Sequence, residues 1–258
     1  MHERLSFYIH RASPLHRANP LTKLTLVFAT ILISYISPWY WTATTLIGMN
    51  FLIAFLGNVP REYIRIVTRL LLPVVGFLFV MQSMFLPGGG TELFSFWFLH
   101  LRLENVQTAY LNASRIFVMV SSFILLILST HPSELMTDLT RRGLPGQLSY
   151  VVVSTLQILP QMQAKANTII DAKRSRGLDT QGSFRKRAGA LLPLVSPLVF
   201  GSLVEVEERA IAIEARAFTS SLKKTSLRVI PDTSVDKLLR WILILLVLLT
   251  IAARLWLS

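Results

Sequence analysis

The sequence predicts an all-α polytopic membrane protein, with about five transmembrane helices plus a set of amphipathic coupling helices on the cytoplasmic side. Three observations predict it. Of 258 residues, 52% are hydrophobic and only 16% charged, and the mean hydropathy of +0.53 lies well above that of ordinary soluble domains. Apolar stretches able to cross a bilayer, which takes about 20 residues of helix, fall at residues 21–37, 39–57, 66–86, 106–130 and 238–257. Of the 26 Lys and Arg, 16 lie between residues 131 and 240, with 10 of the 14 Asp and Glu, so the charge sits apart from the spans. The organisation expected is an N-terminal interfacial segment with four spans over 1–130, a cytoplasmic coupling-helix region over 131–236, and a C-terminal span over 237–258.

Taken in order, "MHERLSFYIHRASPLHRANP" breaks its apolar residues with Arg4, Arg11 and Arg17 and has no apolar core ending in a small-residue cleavage site. It reads as an interfacial segment, not a cleaved signal peptide. Those arginines and Lys23 precede the first span, and Arg61, Arg65 and Arg69 follow the second. Excess positive charge marks cytoplasmic loops. The turn "SPWYW" is uncharged and aromatic, and "PGGGTELFSFWFLHLRLEN" sets only Arg102 against Glu92 and Glu104. These loops read as outer, which puts the N-terminus inside a prokaryotic cytoplasmic membrane and the C-terminus outside.

After the fourth span, "HPSEL" starts a short helix near Pro132, with His131 at its end and Glu134 in its first turn, where an acid suits the helix dipole. It stops at "RRGLP". Next, "LSYVVVSTLQILP" is too short to cross comfortably, and "AGALLPLVSPLVFGSLV" contains Pro193 and Pro197, which remove backbone donors and break or kink a helix. Further spans near 148–160 and 188–204 stay open, but long surface helices are favoured. Leu159, Met162, Ala166 and Ile169 recur at spacings of three and four among polar residues, as do Leu203, Val206, Ala210 and Ile213, the pattern of two amphipathic helices. Gly177 is placed to end the first through a positive φ, and "TSSLKKTSLRVIPDTS" reads as the loop after the second.

Several chemistries are excluded. There is no cysteine, hence no disulfide, thiolate metal site or thiol nucleophile. The glycines of "PGGGTE" lack the lysine of a phosphate-binding loop, and the five histidines are scattered without metal-ligand spacing. No cofactor or metal is expected on this chain. The chain carries a net charge of +12, but its charged residues concentrate in one segment, where both signs mix, and are not spread along a groove, so nucleic acid is not an expected partner; the lipid bilayer is. The span interiors carry no carboxylate, against a proton-coupled carrier or a metal-diphosphate enzyme. Arg115 is the one deep charge, to be met by another subunit or by backbone carbonyls.

Two similar arginine-bearing helix ends remain, "DAKRSRGLDT" at 171–180 and "AIEARAFTS" at 212–220. A cation is ordinary at a helix C-terminus. Two of them on helices too polar to be spans suit docking into acidic grooves on another protein, since a guanidinium grips carboxylates bidentately. A self-contained polytopic carrier or enzyme, the alternative, calls for a polar constellation within the spans.

Here the chain resembles the T component, the transmembrane coupling subunit, of energy-coupling factor (ECF) transporters, a class of ABC importers. The resemblance is carried by "SPLHRANPLTKL" (13–24), "STHPSELMTDLTRRGLP" (129–145), "LQILPQMQAKANTIIDAKRSRGLD" (156–179) and "EARAF" (214–218), and it covers most of the chain. It implies two Ala-Arg-Gly-like motifs, here Ser175-Arg176-Gly177 and Ala215-Arg216-Ala217, each docking on one subunit of a homo- or heterodimeric ABC ATPase pair that binds the ATP and Mg. Ser175 stands for the usual alanine and Ala217 for the usual glycine, which deprives the second turn of a glycine's backbone freedom. Arg174 reads as a solvated charge. The resemblance further implies a membrane-embedded, substrate-binding S component, met by apolar stripes that include Met162, Ile169, Val206 and Ile213, and uptake of a vitamin such as biotin or of cobalt or nickel ions. The chain itself is then a transporter subunit without enzymatic activity.

Overall fold

The computed structural model describes residues 18–37, 39–85, 92–96, 99–177, 184–220 and 230–257, together with Leu15. Among them the chain forms eight helices and one short hairpin: α1 (Pro20–Ile36), α2 (Trp41–Leu56), α3 (Pro60–Phe85), β1 (Glu92–Phe96), β2 (Leu99–Arg102), α4 (Leu103–Ser129), α5 (Pro132–Arg141), α6 (Gly146–Ser175), α7 (Phe184–Ala215) and α8 (Ser234–Leu257). Two compact units result, one of Ser6–Gly143 with Ile230–Ser258, the other containing Leu144–Val229. The N-terminal segment before Ala18 and most of the loop after the second arginine motif lie outside the described residues.

The five apolar helices of the first unit coincide with the five expected spans. α3, α4 and α8 are long and apolar enough to cross a membrane. α1 and α2, with 17 and 16 residues, reach roughly 26 and 24 Å at 1.5 Å per residue, a little short of a bilayer core. Exposed Trp39, Tyr40 and Trp41 lie between them, side chains that settle at a membrane interface. The aromatic stretch before α4, read from sequence as a loop, forms the antiparallel hairpin β1–β2, with Phe96 opposite Leu99.

The core lies between α3 and α4, with Tyr63, Val67, Leu71 and Val75 packed on Ala113, Ile124, Leu125 and Leu128. A four-residue spacing drifts around an ordinary α-helix, which has 3.6 residues per turn. The chain instead widens into a π-helix over Val67–Leu71, and this wider turn keeps all four residues on the core side. Ala109, Ala113, Ser114, Ser121 and Ser122 are buried on α4, small residues that let helix backbones approach closely.

Polar groups fix the ends of the bundle. Asn19 caps α1 by accepting from Leu21 N–H and receives its own constraint from Asp236, whose Oδ1 accepts from Asn19 N–H at 3.1 Å. Asp236 also forms a reciprocal capping box with Thr233 at the start of α8, satisfying two orphan helix donors at once. Lys23, counted from sequence with the flanking positive charges, is in fact buried, and its ammonium donates to the last carbonyl of α4, Ser129 O, at 2.8 Å. At the opposite end Arg115 Nε donates to Ser34 O at 3.1 Å with its guanidinium over the Tyr35 ring, and Arg254 reaches Tyr35 O and Ile36 O. Both cations thus cap the C-terminus of α1, where the dipole favours them, and Arg115 meets backbone carbonyls.

The second unit corrects the reading of the prolines. Pro193 and Pro197 do not interrupt α7, which runs unbroken for 32 residues, and Pro160 lies inside the 30-residue α6. Each proline costs about 3 kcal/mol in a helix interior, but only its own hydrogen bond is lost, and several turns on both sides carry the helix through. Neither helix is among those apolar enough to cross a membrane.

Candidate functional site

The two arginine motifs are built by one backbone device. In α6, Ser175 is the last helical residue, Arg176 takes the C-cap position at φ −94° and ψ 11°, and Gly177 follows at φ +90°. Arg176 and Gly177 donate their N–H groups to Lys173 O and Arg174 O. In α7, Ala215 ends the helix, Arg216 and Ala217 donate to Ile213 O and Glu214 O, and Ala217 has φ +54°. Phe218 N–H then returns to Ile213 O at 3.1 Å, completing a Schellman motif. Alanine therefore occupies the left-handed region that glycine occupies in the first motif. The missing glycine changes the strain of the turn, not its shape.

Both arginines project into open space. Arg176 and Arg216 are exposed, as are Ser175, Gly177, Ala215 and Ala217, and neither guanidinium has a hydrogen bond or ion pair among the described residues. Arg174 lies 3.7 Å from Asp171, both well exposed. The second turn is anchored by Phe218, whose ring meets Tyr150 on α6 with centroids 5.3 Å apart.

α6 and α7 run antiparallel where they meet. Arg209 donates to Gln161 at 2.9 Å and Lys165 pairs with Glu205, so a step of four residues forward on α6 matches four backward on α7. Met162, Ala166 and Ile169 on α6 are half-buried, as are Ile213 and the seam residues Glu205 and Arg209 on α7. Arg176 and Arg216 lie beyond the crossing in opposite directions, roughly 33 Å apart along the helix axes at 1.5 Å per residue. Gln161 and Lys165, which from sequence only completed a polar face, are the residues that set this geometry.

The four residues expected on an S-component interface separate. Val206 is 59% exposed, beside exposed Leu203, Val199 and Phe200, whereas Met162, Ile169 and Ile213 are half-buried. The first unit also holds a small polar cluster that the sequence reading did not find. Asn50 Nδ2 donates to Ser121 Oγ at 3.1 Å and Ser122 Oγ at 2.8 Å, and Ser122 meets Thr30. It is neutral and joins helices through the Asn50 amide nitrogen, while Asn50 Oδ1 is buried without a partner among the described residues. Among the described residues no group of His, Asp and Glu is arranged to hold a metal ion.

Comparison with known proteins adds the following. The family model described as CbiQ, cobalt transport protein, matches residues 11–227. The energy-coupling factor transporter transmembrane protein EcfT of Ruminiclostridium cellulolyticum is 26% identical over 240 residues, 90% of this chain and 89% of the relative. That of Brevibacillus brevis is 28% identical over 252 residues, 93% and 94% of the two chains. That of Limosilactobacillus fermentum is 26% identical over 272 residues, 98% and 99%.

Proposed function

We propose, from the premise that this chain belongs to the CbiQ family of cobalt transport proteins and is the T component of an energy-coupling factor transporter, that α6 and α7 couple two ATPases to a substrate-binding membrane protein. The chain is a membrane-embedded transporter subunit, not an enzyme. ATP and Mg belong to the ATPase pair. Arg176 and Arg216 dock into acidic grooves, one on each ATPase, with Ser175, Gly177, Ala215 and Ala217 shaping the two turns. When nucleotide binding draws the ATPases together, the grooves carry the arginines and the angle between α6 and α7 changes. The other partner is an S component, which the movement tips to release a vitamin or a transition-metal ion inside. Val206 meets it directly, and Met162, Ile169 and Ile213 become available as the seam opens. The N-terminus lies on the cytoplasmic side of the cell membrane.

The observation that carries this reading is the pair of exposed arginines, without an ion pair among the described residues, on two helix ends of matching backbone form. Reversing a charge that sits in an acidic groove costs at least about 2 kcal/mol, roughly thirtyfold in affinity. Arg176→Glu and Arg216→Glu should each weaken recovery of the ATPases with the purified chain, and the double variant should abolish it while the chain stays folded. Wild-type recovery of both ATPases by the double variant would remove these arginines from the docking site.

A further inference from the structure

A third helix end repeats the arginine device with a different outcome. α5 closes with Arg142 at the C-cap position and Gly143 at φ +117°, and their N–H groups donate to Leu139 O and Thr140 O, as at the two docking motifs. The sequence repeats too, Arg142-Gly143-Leu144 against Arg176-Gly177-Leu178. Yet this guanidinium is paired with two carboxylates. Its Nε donates to Asp138 Oδ2 at 3.2 Å and its Nη2 to Asp232 Oδ2 at 2.9 Å. Asp232 is gripped from its other side by Arg240 of α8, at 2.7 Å and 3.0 Å. The neighbouring Arg141 donates to Ile230 O at 2.9 Å.

The location of this cluster gives it meaning. The chain leaves the first unit after Gly143 and re-enters it at Ile230, so every residue that carries α6 and α7 hangs between these two points. Arg141 and Arg142 hold the exit, Ile230 and Asp232 hold the re-entry, and Arg240 ties both to the last span. Asp138 and Arg240 are almost fully covered, with side chains 4% and 11% exposed, and each meets a partner that reaches solvent, Arg142 at 36% and Asp232 at 26%; the covered side of each pair limits screening. Arg142 and Asp232 also sit at favourable helix ends, the cation at the C-terminus of α5 and the anion beside the N-terminus of α8.

We propose that Arg142, Asp232 and Arg240, with Asp138 and Arg141, form a clamp that positions the root of the coupling unit. It holds the exit and re-entry strands together under load, so that a force applied to α6 and α7 moves α5 and α8 instead of spreading the two strands. The proposal rests on the coupling function above. The residues are positioning groups and touch neither ATPase nor substrate.

The test uses the complex of this chain with its ATPases and S component in lipid nanodiscs, with spin labels introduced into a chain that has no cysteine. Labels at Thr137 and Val235 report the distance across the clamp; labels at Asn167 and Ile211 report α6 against α7. Without nucleotide, the clamp distance should be single and narrow in wild type and in Asp232→Asn. With a non-hydrolysable Mg–ATP analogue it should stay narrow in wild type and in Asp232→Glu, and at least double in width in Asp232→Asn. A narrow distribution in Asp232→Asn with nucleotide overturns the clamp. So does equal broadening without nucleotide, which marks a merely structural pair. If the Asn167–Ile211 distance in wild type ignores nucleotide, the coupling function itself fails and the clamp with it.

Discussion

Ala217 offers the sharpest test of how the two arginine turns are made, because its backbone does what alanine does at a cost. A left-handed conformation costs an L-residue about 1–2 kcal/mol, and Ala217 holds it at φ +54°. Replacing it with glycine removes that cost but adds about 0.4–1 kcal/mol of unfolded-chain entropy. The balance for Ala217→Gly is a stabilisation of about 0.5–1 kcal/mol, or two- to fivefold in the equilibrium between closed and opened turn. Gly177→Ala is the mirror experiment. Gly177 has φ +90° and, among the described residues beyond its chain neighbours, no atom within 4 Å of where a Cβ would stand, so the change tests chiefly backbone strain. The same terms give a destabilisation of similar size or slightly larger, since φ +90° lies outside the comfortable left-handed well.

Amide hydrogen exchange reads these equilibria directly, because local opening free energy sets protection. In Ala217→Gly the N–H groups of residue 217 and Phe218, bonded to Glu214 O and Ile213 O, should exchange two to five times more slowly. In Gly177→Ala the N–H of residue 177, bonded to Arg174 O, should exchange at least twice as fast. Faster exchange in Ala217→Gly would refute the strain assigned to Ala217. Unchanged exchange in Gly177→Ala would show that the first turn does not depend on glycine.

Two further outcomes are expected. Arg115→Ala deprives Ser34 O of its donor and Tyr35 of its cation, and loss of a hydrogen bond to a charged group costs about 1.5–3 kcal/mol; thermal unfolding in detergent should show a lowered midpoint, with Arg254→Ala, whose contacts are longer and exposed, lowering it less. At Asp232, desolvation works against ionisation, but the bonds and charges of Arg240 and Arg142 prevail and hold the carboxyl below its ordinary 3.8. A depressed folded-state value means the contribution is present above the ordinary carboxylate range and lost as pH falls through the folded value, so acid unfolding curves of wild type and Asp232→Asn should differ fully above pH ~4 and converge as pH falls on through the lower folded-state value.

The spans were legible because a bilayer constrains length and polarity so tightly that composition alone marks them. The helix ends at Gly143 and Gly177 were legible for a similar local reason, a residue type that suits positive φ. What was not legible depends on distant partners. Arg142 and Arg176 both precede Gly-Leu at a helix end, and it is Asp138 one turn back and Asp232, 90 residues away, that pair the first, whereas Arg176 has no ion pair among the described residues. Lys23 looked like flanking charge because a loop count cannot tell an exposed ammonium from one buried on Ser129 O. Pro193 and Pro197 were read as breaks from their local cost, which the length of α7 outweighs. Gln161 and Lys165 disclosed nothing until Arg209 and Glu205 stood opposite.

The antiparallel seam explains why matching helix ends suit two partners at once. Arg176 and Arg216 extend from the Gln161–Arg209 and Lys165–Glu205 crossing in opposite directions, as the two arms of one lever. At 1.5 Å per residue these arms are roughly 20 and 14 Å long, so a change of about ten degrees in crossing angle moves the arginines by roughly 3.4 and 2.4 Å on those arm lengths. Two partners approaching each other can turn such a crossing, whereas one partner pulling on one arm only drags the pair. On the proposed function, the seam must yield to the paired load while the root at Arg142 and Asp232 does not. At the crossing the seam is held by exposed polar pairs, which contribute little each, with the Phe218–Tyr150 ring contact beside the second turn; the root adds charge-assisted arginine–carboxylate bonds backed by the covered Asp138 and Arg240.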